Sequence, residues 1–201
     1  MIDNSFRQLL PKFVSPLIGW YQRRNLTPNQ ITVLGLVGAL LASLSIAYKF
    51  YILGICLWWL SRLLDGTDGI YARQSNMSSH FGAYLDFLSD MAAYGAMIIG
   101  FKVAFPEFTN LWLLVLFLYI LCSVSALLCG NVEKELGIQA RDNRGLRLGA
   151  GLAEAGETGI AYTLMALFPQ HMLLWLYLWL GVLLATVAAR TKLVYGFEAK
   201  R

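Results

Sequence analysis

Long apolar runs broken by few charges constrain this chain more than any other feature. Hydrophobic side chains make up 58% of its 201 residues and charged ones 14%, against roughly 25% charged in ordinary soluble domains. Six runs are near the ~20 residues that a helix needs to cross a ~30 Å hydrocarbon core. They span residues 29–48, 51–73, 80–104, 109–132, 150–168 and 172–190. Backbone in hydrocarbon must satisfy its own hydrogen bonds, so each run is expected to be helical. The predicted fold class is all-α: a polytopic membrane protein with six transmembrane helices.

A shorter helix is expected before the first span. Residues 4–24 place Phe6, Leu9, Phe13, Leu17 and Trp20 at about helical spacing among basic residues. That pattern suits an amphipathic helix on an anionic membrane surface, with Pro11 and Pro16 as kink points. The organisation is thus a juxtamembrane segment, 1–28, and a transmembrane domain, 29–201. Thr27 is the expected N-cap of the first span, with Pro28 in its first turn. Gly35, Gly38, Ala39 and Ala42 would let a neighbouring helix come close. Residues 1–28 lack the unbroken apolar core of a signal peptide. Cys56, Cys122 and Cys129 lie in apolar runs without metal-site spacing and read as small buried hydrophobes.

Six spans place both termini on one side. The termini, the 73–80 turn with its flanking helix ends, and the 133–149 loop hold fourteen of the sixteen Lys and Arg. Only Lys49 and Lys102 fall on the other side. The positive-inside rule then faces both termini, the basic loop and the 73–80 turn to the cytoplasm, in a cell inner or plasma membrane. The net charge of +4 is a local asymmetry toward anionic headgroups and does not itself suggest nucleic acid.

Against this apolar background, Asp65, Asp68, Asp86 and Asp90 put four of the twelve acids into 26 residues. Asp65 and Asp68 are three apart and Asp86 and Asp90 four apart, so each pair shares a helix face. A short polar turn joins the two helices, which brings the acidic faces together at one end of the bundle. Four carboxylates so placed repel unless compensated. An all-oxygen set without His or Cys suits two Mg²⁺ or Mn²⁺ ions roughly 3.5–4 Å apart. Gly66, Gly69 and Gly82 would let a ligand reach the backbone. Arg73 can donate paired hydrogen bonds to phosphate oxygens. Structural ion pairs and helix-packing glycines are the plain alternative. A divalent-cation transporter or channel is the functional one, since intramembrane acids also mark ion paths. Crowding of the acids at one end argues against transport.

Asp65-x2-Asp68-Gly69-x2-Ala72-Arg73-x8-Gly82-x3-Asp86-x3-Asp90 resembles the signature of the CDP-alcohol phosphotransferases at every defined position. The Thr27-Pro28-Asn29-x-Ile31-Thr32 start of the first span resembles the family too. The resemblance implies an integral membrane enzyme of class I. It would move a phosphatidyl-type group from CDP-diacylglycerol, or a related CDP-lipid, to a small hydroxyl acceptor and release CMP. Asp65, Asp68 and Asp86 would hold two divalent cations, with Asp90 completing the second site. Gly69, Ala72, Gly82 and Asn29 would border the CDP moiety and Arg73 would contact phosphate. Asp90 would also be general base, although a metal-bound carboxylate is a weak one; base and mere ligand both stand. A homodimer is implied as well.

The acceptor site is less defined. Lys134, Arg141, Arg144 and Arg147 can bind an acceptor's phosphate or simply be a positive-inside loop. In the inositol-phosphate branches a Glu-Arg-x-Glu-Arg-like stretch opens the fifth span. Here Glu154 and Glu157 lack those arginines, which argues against an inositol-phosphate acceptor. These two acids can pair with the loop arginines, bind an acceptor amine or satisfy the bundle. His80 and His171 sit at span ends, where interfacial solvation accounts for them.

Overall fold

The computed structural model describes residues 14–137 and 155–198. Their secondary structure is helical throughout, with no strand among the described residues. The helices are α1 (Ser15–Arg23), α2 (Pro28–Ala47), α3 (Tyr51–Gln74), α4 (His80–Ala104), α5 (Thr109–Glu135), α6 (Ala155–Leu167) and α7 (Met172–Glu198). Short 3-10 turns at Pro106–Phe108 and Pro169–His171 precede α5 and α7. The chain divides into two compact units, Met1–Met97 and Ile98–Arg201.

In the first unit α2 opens with a capping box. The Thr27 hydroxyl accepts from the Gln30 N–H at 3.3 Å, and the Gln30 side chain accepts from the Thr27 N–H at 2.9 Å. This satisfies donors that a helix start leaves open, as the Thr-Pro sequence predicts. The helix stops at Tyr48, where Lys49 takes a φ of 65° and its N–H bonds back to the Ile46 carbonyl at 2.8 Å. α3 then returns along α2. The contact uses the small face of α2: Gly35, Ala39, Ala42, Ser43 and Ile46 are buried. The Ser61 hydroxyl donates to the Gly35 carbonyl at 2.7 Å, and the Ser43 hydroxyl ties α2 to α4 through the Ala96 carbonyl at 2.5 Å.

The tightest approach is at Gly54, where an added Cβ would stand 2.7 Å from the fully buried Ile46 Cδ1. Gly54→Ala is therefore expected to cost about 1–3 kcal/mol by overpacking. A thermal melt in detergent checks this, and an unchanged midpoint would mean that Ile46 has room to move.

α1 lies against the same unit. Val14, Ile18 and Tyr21 cluster with Ile31 and Tyr71, while Trp20, Arg23 and Arg24 stay exposed. Pro16 falls in the first turn of α1, where its missing N–H is harmless, so it opens the described helix. Residues 1–13, including Pro11, lie outside the described residues. The Thr67 hydroxyl donates to the Leu64 carbonyl at 2.8 Å, so Tyr21 is the donor in its 2.9 Å bond to Thr67. Burial raises the Tyr21 pKa, which keeps that donor protonated.

The second unit is built on α5 and α7. Phe101 stacks on Trp112 at 5.6 Å and meets Tyr162 at 5.8 Å. Arg190 is buried and donates to the Cys122 carbonyl at 2.6 Å and to Ser125 Oγ at 3.3 Å. Cys122 and Cys129 are buried as expected, whereas Cys56 is exposed; none of the three forms a disulfide.

Among the described residues four helical stretches are long and apolar enough to cross a bilayer: Pro28–Ala47, His80–Ala104, Pro106–Glu135 and Pro169–Phe197. α3 has 24 residues but carries Arg62, Asp65, Asp68 and Arg73. Only 13 residues of α6 are described, and the expected start of that span near 150 lies outside them. The protein is an all-α integral membrane protein. Exposed Leu34, Val37, Leu41 and Leu44 on α2 would face lipid rather than water.

Candidate active site

The acidic residues all belong to the first unit. Asp65 and Asp68 stand one turn apart on α3, and Asp86 and Asp90 one turn apart on α4. Each of the α3 carboxylates lies within electrostatic reach of both α4 carboxylates. The two helices thus present their acidic sides to each other. The turn between them is built for this return. The Met77 N–H bonds the Ala72 carbonyl at 2.8 Å to close α3, and Ser79 Oγ accepts the Gly82 N–H at 2.9 Å to open α4.

Asp68 is the most deeply set of the four resolved by exposure, at 3%. It accepts a hydrogen bond from Thr32 Oγ1 of α2, a hydroxyl that also reaches the Pro28 carbonyl at 3.2 Å. The capped start of α2 therefore delivers a donor to Asp68. Asn29 reaches the same region: a Cβ on Gly82 would stand 3.2 Å from Asn29 Oδ1 and 3.1 Å from Ser79 Oγ. Gly82 thus lets Asn29 and Ser79 come close to the start of α4. A Cβ on Gly69 would meet Arg73 Nη1 at 3.4 Å, so the exposed Arg73 folds back along α3 toward Gly69. Ala72 and Gly69 are half-buried.

A cation that the sequence reading counted among the membrane-flanking charges occupies the deep side of this group. Arg62 pairs with Asp90 and lies 3.6 Å from Asp65. Its guanidinium sits 4.7 Å from the Trp58 ring and 5.1 Å from the Tyr94 ring. Among the described residues no three acids, His or Cys are already spaced to hold one ion. The donor set itself fits Mg²⁺ or Mn²⁺: four carboxylates on two facing helices, without imidazole or thiolate.

The basic residues named for an acceptor are not brought to this group by anything described. Lys134 is exposed in the last turn of α5. Arg141, Arg144, Arg147 and Glu154 lie outside the described residues. Glu157 stands in the first turn of α6, with one carboxylate oxygen buried and no hydrogen-bond partner among the described residues. Sequence reasoning missed the roles of Thr32 and Arg62. Helical spacing puts Arg62 one turn before Asp65 and one after Trp58, but its partners Asp90 and Tyr94 lie on another helix.

Comparison with known proteins points one way. The family described as CDP-alcohol phosphatidyltransferase matches residues 25–188. The inner membrane protein YnjF of Escherichia coli (strain K12) is 27% identical over 172 residues, covering 84% of this chain and 83% of that one. A phosphatidylinositol phosphate synthase of Mycobacteroides abscessus is 27% identical over 186 residues, covering 84% and 78%. The fold is that of the Mycobacterium tuberculosis phosphatidylinositol phosphate synthase PgsA1. Its structure with CDP-DAG bound superposes with a TM-score of 0.69 at 22% identity, over 92% of this chain and 94% of the other. The same protein has been solved with manganese and citrate.

Proposed function

Because the chain belongs to the CDP-alcohol phosphatidyltransferase family, we propose that its facing acidic helices bind the diphosphate of CDP-diacylglycerol. The enzyme moves a phosphatidyl-type group to a small hydroxyl acceptor and releases CMP, a step of phospholipid synthesis. The observation that carries the site assignment is the convergence of Asp65 and Asp68 with Asp86 and Asp90 across α3 and α4. The CDP-DAG and the manganese in the mycobacterial structures support the reading.

In this reading Asp65, Asp68 and Asp86 hold two divalent cations, with Asp90 completing the second site. The ions would neutralise charge on the diphosphate and on the departing CMP. Arg73 contacts phosphate, while Gly69, Ala72, Gly82 and Asn29 border the cytidine end. Asp90 takes the proton of the acceptor hydroxyl. The resulting oxygen attacks the phosphorus that carries diacylglycerol, the bond from that phosphorus to the CMP oxygen breaks, and CMP leaves with the electron pair. Binding the acceptor beside the donor makes attack effectively intramolecular. Lys134, Arg141, Arg144 and Arg147 are assigned to an acceptor's negative charge.

The same reading makes residues 1–28 a surface helix and 29–201 one six-span domain that works as a homodimer in the cell inner membrane. Active site and termini face the cytoplasm, on the side where the basic residues gather. Of the residues in that count, Arg190 is buried and Arg62 largely buried within their units; the remaining charges keep the same asymmetry.

Purified protein given CDP-diacylglycerol, Mn²⁺ or Mg²⁺ and the right acceptor is expected to release CMP, and chelation is expected to stop it. The acceptor panel holds serine, inositol, glycerol phosphate and inositol phosphate. Absence of CMP across the panel, with divalent-ion flux in liposomes, would establish transport instead.

A further inference from the structure

Arg62 is fixed to an unusual degree for an arginine on a membrane helix. Its side chain is 10% exposed. Trp58, one turn earlier on α3, is fully buried, and Tyr94, one turn after Asp90 on α4, is 3% exposed. Those two rings meet edge to face at 5.3 Å, and the guanidinium lies against both. Nη2 reaches Ser61 Oγ at 3.2 Å, and that hydroxyl is itself bonded to the Gly35 carbonyl. Nη1 takes Asp90 Oδ1 and approaches Asp65 Oδ2. A guanidinium keeps its charge at any pH the protein meets. The acidic group therefore has a permanent cation built in, held by a cage of aromatic rings and one hydroxyl.

We propose that Arg62 is a positioning residue that pins Asp90 by one oxygen and competes with the divalent ion for Asp65 and Asp90. The inference rests on the reading that these carboxylates bind divalent ions. Its logic is electrostatic. Charges in a weakly polar surrounding interact far more strongly than in water. A fixed positive charge beside Asp65 and Asp90 relieves their repulsion when no ion is bound. The same charge repels an arriving ion and must share Asp90 with it. Arg62 thus trades ion affinity for a preset Asp90. That trade favours turnover, because a general base must be positioned before the acceptor arrives. A purely structural ion pair would behave differently: its loss would lower stability with and without ion alike and leave ion affinity where it was.

The test uses the full chain in detergent, with Mn²⁺ binding followed by electron paramagnetic resonance and unfolding followed by heat, with and without Mn²⁺. Arg62→Gln and Arg62→Met are compared with the natural chain; methionine keeps an apolar side chain against the two rings should glutamine fail to fold. Both are expected to bind Mn²⁺ roughly tenfold more tightly, about the worth of one charge-assisted hydrogen bond. Both should melt lower without ion and gain more from Mn²⁺ than the natural chain does. In the transfer assay kcat should fall while KM for the CDP-lipid holds. Arg62→Lys should restore Mn²⁺ affinity more fully than kcat, since an ammonium supplies charge without the planar fork. Equal Mn²⁺ affinity in natural and substituted chains would overturn the proposal. A natural chain that binds no Mn²⁺ would instead overturn the functional reading beneath it.

Discussion

Asp68→Asn is expected to abolish CMP release, by at least about 10³-fold, while the protein melts at the same temperature or higher. The two halves of this prediction have one cause. Asp68 is buried at 3% exposure and shares its surroundings with Asp86 and Asp90. Removing its charge removes repulsion, which favours the fold, and removes a ligand, which destroys the site. Asparagine has the same shape, so packing against α2 survives. Thr32 loses a charged acceptor but still has the Pro28 carbonyl at 3.2 Å. Stability gained at the expense of activity is the signature of a residue retained for chemistry. The measurements are CMP release with Mn²⁺ and CDP-diacylglycerol, CDP-lipid binding, and a melt without ion. Activity within tenfold of the natural chain would show Asp68 to be a structural partner of Thr32 and nothing more. Loss of activity accompanied by a large fall in melting temperature would assign it to the fold.

Much of this molecule is legible in the sequence where one residue's neighbours along the helix decide its role. The Thr27 N-cap needs only its immediate neighbours, and the structure forms it, with Gln30 completing a capping box beyond the expected cap. The spacing of Asp65 with Asp68, and of Asp86 with Asp90, follows from helical periodicity, and the short 75–79 turn brings the pairs to face each other. Helix ends are legible less well. α7 was expected to end near 190 and runs to Glu198; α5 was expected to end near 132 and runs to Glu135. Hydropathy marks where apolar surface stops being favourable, whereas a helix stops where its backbone finds a breaker or a cap. Thr191 to Tyr195 contains neither Gly nor Pro, so the helix continues out of the apolar zone.

Arg62 and Arg190 show the other limit. Each reads along the chain as a flanking charge, and each is held inside its unit, one against Trp58 and Tyr94, the other on the Cys122 carbonyl. What decides their place is a partner 28 to 68 residues away, which periodicity on one helix does not reveal. Recognising the family signature leaves the same gap, because Arg62 lies outside the defined positions from Asp65 to Asp90.

Asp90→Asn is the second large effect, and it separates two roles that the resemblance assigns to one residue. As general base, Asp90 contributes through proton removal, a term worth about 10²- to 10⁴-fold. Its loss should then lower kcat by that factor and leave CDP-lipid binding within a few-fold. As an ion ligand only, its loss should weaken Mn²⁺ and CDP-lipid binding together, and raised Mn²⁺ should restore much of the rate. Arg62 already holds Asp90 Oδ1, and a cation of the chain weakens a carboxylate both as ion ligand and as base, so the two roles are separated by measurement. Stability must be read alongside, because removing one member of a fully buried ion pair costs about 3–5 kcal/mol when nothing replaces it, and this pair is part-buried. Here Asp65 stands 3.6 Å from Arg62 and can take over the pairing, so a smaller loss is expected. The decisive measurement is therefore CDP-lipid protection against thermal unfolding in Asp90→Asn, at low and high Mn²⁺, beside the single-turnover rate. Protection retained with turnover abolished assigns Asp90 to proton removal; protection lost at low Mn²⁺ and regained at high assigns it to ion binding.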